Sequence, residues 1–290
     1  MTNRPGGNTV NTGSARRRRG SGSLSLVALG VLLAAIMGAG AVVLAWPQPN
    51  GAGPATAPAV AAPQPNVAAA PPAQELHVTA GQPIVIGVFG DSLGDGLWAG
   101  LNHELRDGPA YHVVRFSRPA TGLARYDYVD VQAQTAAQLA RRRIDIAVVM
   151  LGANDEQAIL QGRQAYAFAS ADWQAIYQRR IDDLVSLLRQ RGAAVYWVGL
   201  PKMRRASYDR KAQLLSSIYQ ARARALGVPF IPTAPVTVDE RGEYNDHLSD
   251  GGARPRLMRA KDGIHMTMLG YLRIAAPVSS AIRADIARAG

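Results

Sequence analysis

The stretch VFGDSLGDG, residues 88–96, changes within three positions from an apolar run to glycine, aspartate and serine. Residues 84–89 are apolar and rich in β-branched side chains, which is typical of a strand buried in a sheet. Ser92 therefore follows directly where a strand is predicted to end. Gly-Asp-Ser is also common turn chemistry, so this stretch alone allows two interpretations, a simple turn or a nucleophile held at the end of a strand.

Apolar strand-like runs alternate with helical patterns along the rest of the chain. The predicted strands are 84–89, 112–116, 144–151, 194–200 and 228–231. The predicted helices are 93–106, 129–142, 172–191, 208–226 and 268–289. This alternation predicts an α/β fold with about five parallel strands, right-handed crossovers and helices on both faces of the sheet. The third strand is the most apolar, so we expect it at the centre of the sheet.

Polar segments follow three of these strands, and a fourth precedes the last helix. Ser92 follows the first strand, residues 117–123 follow the second, and Gly-Ala-Asn-Asp at 152–155 follows the third. Asp-Gly-Ile-His at 262–265 lies directly before the final helix. Ligands of parallel sheets bind at the carboxyl ends of the strands. Each segment alone resembles a turn, but the four together predict a site at that edge.

The residue types in these segments fit nucleophilic catalysis. A serine hydroxyl such as that of Ser92 is a poor nucleophile until a base removes its proton. His265 is the candidate base because imidazole titrates near neutral pH, and Asp262 is placed to accept its other ring N–H. Attack on an ester creates an oxyanion, for which the backbone N–H groups of Ser92 and Gly122 and the side-chain amide of Asn154 are candidate donors. Glycine at 122 allows a close backbone approach.

These motifs resemble the four blocks of the SGNH hydrolases, also called the GDSL family of esterases and lipases. The blocks are GDSL at 90–93, the loop of Gly122, GAND at 152–155 and DGIH at 262–265. The resemblance covers essentially all of residues 83–290. It implies a three-layer, flavodoxin-like fold, ester hydrolysis by a serine, and Ser, Gly, Asn and His as the four namesake residues.

A closer resemblance is to a membrane-tethered subfamily catalogued as a domain of unknown function. It rests on VVMLGANDEQ at 148–157, VYWVGLPKMR at 195–204, and Asp-Glu-x-Gly-x-Tyr at 239–244 before KDGIHMT. The nucleophile elbow of α/β-hydrolases is a different arrangement, although residues 90–94 happen to read G-x-S-x-G. Here the serine follows the first strand, and the acid and the base share one tetrapeptide, which fits the SGNH arrangement instead.

The N-terminal part of the chain predicts export. Residues 1–22 are polar and basic, end near Arg16–Arg19, and have a composition typical of disorder. Residues 23–46 include an uncharged run of 23 residues from Leu24 to Trp46, which is long enough to cross a bilayer. The preceding arginines orient this helix with its N-terminus in the cytoplasm. We therefore predict a signal anchor, with a cleaved signal peptide as the alternative.

Residues 47–82 are dominated by Pro, Ala, Gly, Gln and Asn and predict an extended, semi-stiff linker. The hydrolase-like domain is then 83–290. The chain contains no cysteine, which excludes disulfides, thiolate metal sites and a cysteine nucleophile. The net charge is +11, but no nucleic-acid-binding motif is present. We expect no metal or organic cofactor and no nucleic-acid partner.

Together these patterns predict a serine esterase on the extracytoplasmic side of the inner membrane, acting on O-acyl, in particular O-acetyl, esters of a cell-envelope glycan. An O-acyltransferase is an alternative, because water and a sugar hydroxyl would accept the acyl group from the same acyl-enzyme. A non-catalytic glycan-binding module is a third possibility, although binding alone does not require Ser92 to be paired with His265. The expected partners are an acylated glycan or another ester substrate, and the membrane.

Overall fold

The computed structural model describes residues 76, 81–106, 111–252 and 254–289. The predicted basic N-terminus at 1–22, the signal anchor at 23–46 and most of the linker at 47–82 lie outside these residues. Within the described ranges, no helix is both long enough and apolar enough to cross a membrane.

Nine strands and six helices make up the described part of the chain. The strands are β1 Ile84–Gly90, β2 Tyr111–Arg115, β3 Ile146–Met150, β4 Ile159–Gln161, β5 Gln164–Tyr166, β6 Ala194–Val198, β7 Phe230–Ile231, β8 His247–Leu248 and β9 Arg256–Leu257. The helices are α1 Ser92–Leu105, α2 Val131–Arg141, α3 Ala171–Gln190, α4 Ala206–Leu226, α5 Ala234–Thr237 and α6 Met268–Ala289.

Five parallel strands form the central sheet in the order β2-β1-β3-β6-β7. This confirms the predicted α/β fold, and the order is that of flavodoxin-like sheets. All five residues of β3 are buried, as expected for the central strand. Helix α1 packs against α6, while α3 packs against both α2 and α4, so the helices form two separate groups on the faces of the sheet.

Two small antiparallel hairpins, β4-β5 and β8-β9, are additions to the predicted elements. Their strands have only two or three residues each, and most of those residues are exposed or half-buried. Such short strands lack an apolar alternation long enough to read from sequence. Both hairpins lie outside the central sheet and leave its topology unchanged.

The strand order places a switch point between β1 and β3. After β1 the chain forms β2, which pairs with one edge of β1. It then crosses back and forms β3, which pairs with the other edge of β1. Gly90 at the end of β1 lies opposite Met150 at the end of β3. The loops that follow these two strands therefore begin side by side, and such a position is where ligands bind in open α/β sheets.

Helices α1 and α6 approach closely because α1 presents glycines to α6. A Cβ atom at Gly96 would lie 1.9 Å from Cζ of Tyr271, and one at Gly100 would lie 2.8 Å from the Tyr271 carbonyl oxygen. The two glycines are four residues apart and thus share one face of the helix. Ser92 begins α1, and α6 begins three residues after His265, so this contact brings both residues to the same end of the sheet.

Gly96→Ala tests this contact. In an exposed helix, replacing glycine with alanine stabilises by about 0.5–1 kcal/mol. Here the ring of Tyr271 occupies the position of the new methyl group, so we expect a destabilisation of about 1–3 kcal/mol. Urea denaturation of the full-length chain measures the difference. The control Asn102→Ala, at an exposed position of the same helix, is expected to be neutral or slightly stabilising, and a stabilised Gly96→Ala protein would contradict the interpretation.

Candidate active site

Ser92 begins α1 directly after β1, and the buried Asp91 caps the helix. Oδ1 of Asp91 accepts a hydrogen bond from the Leu93 N–H at 2.8 Å. Oδ2 accepts from the N–H groups of Gly152 at 2.9 Å and Ala153 at 2.8 Å. Burial raises the pKa of Asp91, and these three N–H donors oppose that effect. Asp91 thus joins the turn that carries the serine to the loop after β3.

The structure brings Ser92, His265 and Asp262 into one hydrogen-bonded chain. Nε2 of His265 lies 2.7 Å from Oγ of Ser92, and Nδ1 lies 2.6 Å from Oδ2 of Asp262. Oδ1 of Asp262 accepts the backbone N–H groups of Ile264 at 2.8 Å and His265 at 3.0 Å. Partial burial acts to raise the pKa of Asp262, but the ring of His265 and these two N–H donors outweigh it and lower the pKa to about 2.

This arrangement determines the tautomer of His265. Because Asp262 is ionised at neutral pH, its carboxylate can only accept hydrogen bonds. The proton of the neutral imidazole therefore lies on Nδ1, and the lone pair on Nε2 faces the hydroxyl of Ser92. A base in this form can take the serine proton while the carboxylate stabilises the imidazolium that results.

The loops that carry Gly122 and Asn154 lie against each other, beside the hydrogen-bonded residues Ser92, His265 and Asp262. The side-chain amide of Asn154 donates to the carbonyl oxygen of Thr121 at 2.9 Å, a bond that uses one of its two amide protons. Ser92 is the first residue of α1, so its N–H has no acceptor within the helix. For the Gly122 N–H, no acceptor is found among the described residues. The loops of Gly122 and Asn154 are thus in contact, and the assignment of their donors to an oxyanion hole stays a prediction.

Asp155 follows Asn154 and lies on the inner side of these two loops. It is not among the predicted site residues, because an aspartate directly after Asn154 is typical of an ordinary turn. It is fully buried. Its carboxylate accepts the N–H groups of Leu123 at 3.0 Å and Ala124 at 2.8 Å and the hydroxyl of Tyr177 at 2.7 Å. Burial raises the pKa of Asp155 to about 6, although the Tyr177 hydroxyl and the two N–H donors act to lower it.

Two arginines hold the turn that carries His265. The backbone N–H of Arg204 donates to the carbonyl oxygen of Gly263 at 3.0 Å, and its Nη1 donates to that of Lys261 at 2.7 Å. The buried Arg259 donates from Nη2 to the carbonyl oxygens of Lys202 at 2.5 Å and Gly263 at 3.3 Å. The turn is therefore attached to the segment that follows β6. A sequence signal existed, because Arg204 ends VYWVGLPKMR and Arg259 shortly precedes KDGIHMT.

In the part of the chain that the structure describes, no three His, Asp or Glu side chains are arranged to hold a metal ion.

The chain is similar to one protein family and to several solved structures. A family model described as a protein of unknown function (DUF459) matches residues 85–281. A proposed SGNH hydrolase from Slackia heliotrinireducens is 18% identical, with 69% of this chain and 100% of that chain covered and a TM-score of 0.50. TesA is 22% identical (69% and 99% covered, TM-score 0.48), and a GDSL-like lipase from Bacteroides thetaiotaomicron is 18% identical (70% and 91% covered, TM-score 0.47). No curated protein matches the chain. The described residues have the SGNH hydrolase fold.

Asp262→Asn tests the hydrogen-bonded chain through the reactivity of Ser92. An asparagine at 262 no longer fixes the Nδ1–H tautomer of His265. We expect labelling of Ser92 by a fluorophosphonate to slow by about 100-fold or more at pH 7, the range typical of general-base assistance. Mass spectrometry of the labelled full-length chain measures the rate. Asp172→Asn, at an exposed carboxylate at the start of α3, is the control, and an unchanged rate in Asp262→Asn would show that Asp262 does not assist Ser92.

Proposed function

Because the chain belongs to the DUF459 family and has the SGNH hydrolase fold, we propose that it is a serine ester hydrolase with Ser92, His265 and Asp262 as its catalytic triad. The observation that carries this proposal is the 2.7 Å distance between Nε2 of His265 and Oγ of Ser92. The two residues are 173 positions apart in the sequence, and a contact between an unprotonated imidazole nitrogen and a serine hydroxyl is what nucleophile activation requires.

The reaction proceeds in two halves. In the first, His265 takes the proton of Ser92 as Oγ attacks the ester carbonyl, and the N–H groups of Ser92 and Gly122 with the amide of Asn154 bind the oxyanion. His265 then gives the proton to the departing alcohol, leaving an acyl-serine. In the second half, His265 takes a proton from water, the resulting hydroxide attacks the acyl carbonyl, and the proton returns to Ser92 as the acid leaves.

We further propose that the substrate is an O-acetylated or otherwise O-acylated glycan of the cell envelope. The support is the N-terminal sequence. Residues 16–19 are four consecutive arginines, and residues 24–46 carry no charge, a pattern typical of a signal anchor that leaves the following domain outside the cytoplasm. A hydrolase placed there, with the linker of 47–82 before it, has the envelope within reach.

Serine-dependent ester hydrolysis is the first test. We expect the full-length chain to hydrolyse p-nitrophenyl acetate and Ser92→Ala to lose at least about 1000-fold in kcat, since removing a triad nucleophile disables the whole unit. Ser186→Ala removes an exposed serine from α3 and should keep the wild-type rate. Equal background rates from the wild-type and Ser92→Ala proteins would instead favour a non-catalytic binding module.

Acetylated glycans provide the second test, because hydrolysis and transfer differ only in the acceptor. We expect the wild-type protein to release free acetate from O-acetylated glycan at the same rate with or without an unacetylated glycan acceptor. Release would be quantified enzymatically, and the acceptor would be examined by mass spectrometry. Acetyl groups appearing on the acceptor, with little free acetate, would identify an acyltransferase instead.

Asn154→Ala tests the oxyanion hole. Loss of one preorganised donor typically costs about 100- to 1000-fold in kcat, and we expect a loss in that range with little change in KM, because the donor acts mainly in the transition state. Steady-state kinetics with p-nitrophenyl acetate provide the measurement. Asn102→Ala again serves as the exposed control. Near-full activity in Asn154→Ala would exclude this amide from the oxyanion hole.

A further inference from the structure

We propose that Asp155 is a positioning residue for the oxyanion hole, which it builds by holding the Gly122 loop against the Asn154 loop from inside the protein. This inference rests on the proposed esterase function. Asp155 does not face the substrate in this proposal, and it acts through the backbone that it binds.

The hydrogen bonds of Asp155 connect the two loops that carry the donors. Asp155 follows Asn154 directly in the chain, while its carboxylate accepts the N–H groups of Leu123 and Ala124, the two residues after Gly122. The Asn154 amide donates back to the carbonyl oxygen of Thr121. The same loop is thus bound from below by the carboxylate and from beside by the amide, and both bonds must persist for Gly122 to keep its position.

The space around Asp155 explains the glycine at 122. A Cβ atom on Gly122 would lie 2.0 Å from Oδ1 of Asp155, which is less than any allowed contact. The expectation from sequence was that glycine allows the backbone to approach the substrate. The structure shows a second reason, since a side chain at 122 would displace the carboxylate that holds the loop.

The Gly122 loop also needs an external support because its own backbone is strained. Ala120 has a φ of 64°, a left-handed conformation that residues with a Cβ atom seldom adopt. Ala120 is exposed, so little packing holds it in that conformation. Besides the carboxylate, the loop is supported by Arg180 of α3, whose Nη1 donates to the carbonyl oxygen of Leu123 at 2.5 Å.

The charged form of Asp155 is the form that fits these contacts. Its two oxygens accept three donors, and the Tyr177 hydroxyl is itself 2.5 Å from that of Tyr219. Protonation of the carboxyl would place an O–H on one of these oxygens, so at least one of the three hydrogen bonds would weaken or reverse its direction. The other titratable or charged groups that act on this site are Asp91 after β1, Tyr126 before α2, Arg180 on α3 and Tyr208 on α4.

The sign of the resulting pH dependence follows from burial. Because burial raises the pKa of Asp155 to about 6, above the value of 3.8 for an unperturbed Asp, ionising it costs the folded protein stability as the pH rises from about 4 to 6. Activity should change in the opposite direction. As the pH falls through the pKa of Asp155, the loop loses a hydrogen bond and the oxyanion hole loses its geometry.

Tyr177→Phe separates positioning from general structural support. This variant keeps the carboxylate but removes the hydroxyl that lowers its pKa. We expect kcat/KM at pH 8 within about threefold of wild type and the acid limb of the pH profile displaced upward by about one pH unit, a shift typical of losing one hydrogen bond to a charged group. Tyr111→Phe, in β2 at the opposite end of the sheet, is the control and should leave the profile unchanged.

Asp155→Asn removes the charge and one acceptor. At pH 8 we expect kcat to fall about 30- to 1000-fold with KM within about threefold, because the affected donors act in the transition state. Hydrogen exchange provides a readout that does not need activity. The peptide 118–126 should lose protection in Asp155→Asn, while peptide 84–91 of the core strand keeps it.

These measurements distinguish the two proposals. If Ser92→Ala hydrolyses esters as fast as wild type, the proposed function fails, and hydrogen exchange still decides whether Asp155 orders the loop. If hydrolysis depends on Ser92 but Asp155→Asn keeps the wild-type kcat, or the acid limb of Tyr177→Phe is unmoved, the positioning role alone is overturned. Should Asp155→Asn fail to fold, the pH profile of Tyr177→Phe decides.

Discussion

The packing of α1 against α6 is the contact on which the rest of the site depends. Ser92 and His265 lie at opposite ends of the domain sequence, and neither loop could place its side chain within hydrogen-bonding distance of the other unaided. The glycines of α1 let α6 approach so closely that the backbone of Tyr271 lies against Gly100. Further along, Arg283 of α6 donates to the Glu104 carbonyl oxygen, so the two helices remain in register over their length.

Buried carboxylates perform the second task, which is to join loops that no covalent bond connects. The chain has no cysteine, so disulfides are not available. Asp91 binds the loop after β3, and Asp155 binds the loop after β2. Burial raises the pKa of both groups, which means that ionising either of them lowers the stability of the folded protein. A loss of stability is tolerated in these loops because their function depends on a fixed geometry.

The parallel α/β sheet with its third strand at the centre could be predicted, because it depends on local patterns of apolar residues. The apolar run of β3 indicates a central strand, and three of the four polar segments follow strands of the central sheet. The role proposed for Asp155 could not be predicted, since its partners Leu123 and Ala124 lie 32 and 31 residues away and donate only backbone N–H groups, which leave no trace in the sequence. Arg259 stands shortly before the KDGIHMT segment, but the hydrogen bonds that it donates to carbonyl oxygens could not be predicted, because a buried arginine looks like any surface arginine in the sequence.

The close approach of Gly122 to Asp155 has an evolutionary consequence. Because Gly122 has no side chain, there is room for the carboxylate of Asp155. Substitutions at these two positions are therefore expected to be coupled. In relatives of this protein, a larger residue at 122 should accompany a shorter or uncharged residue at 155, and the glycine of this loop would then report on the packing of the protein interior as much as on a substrate.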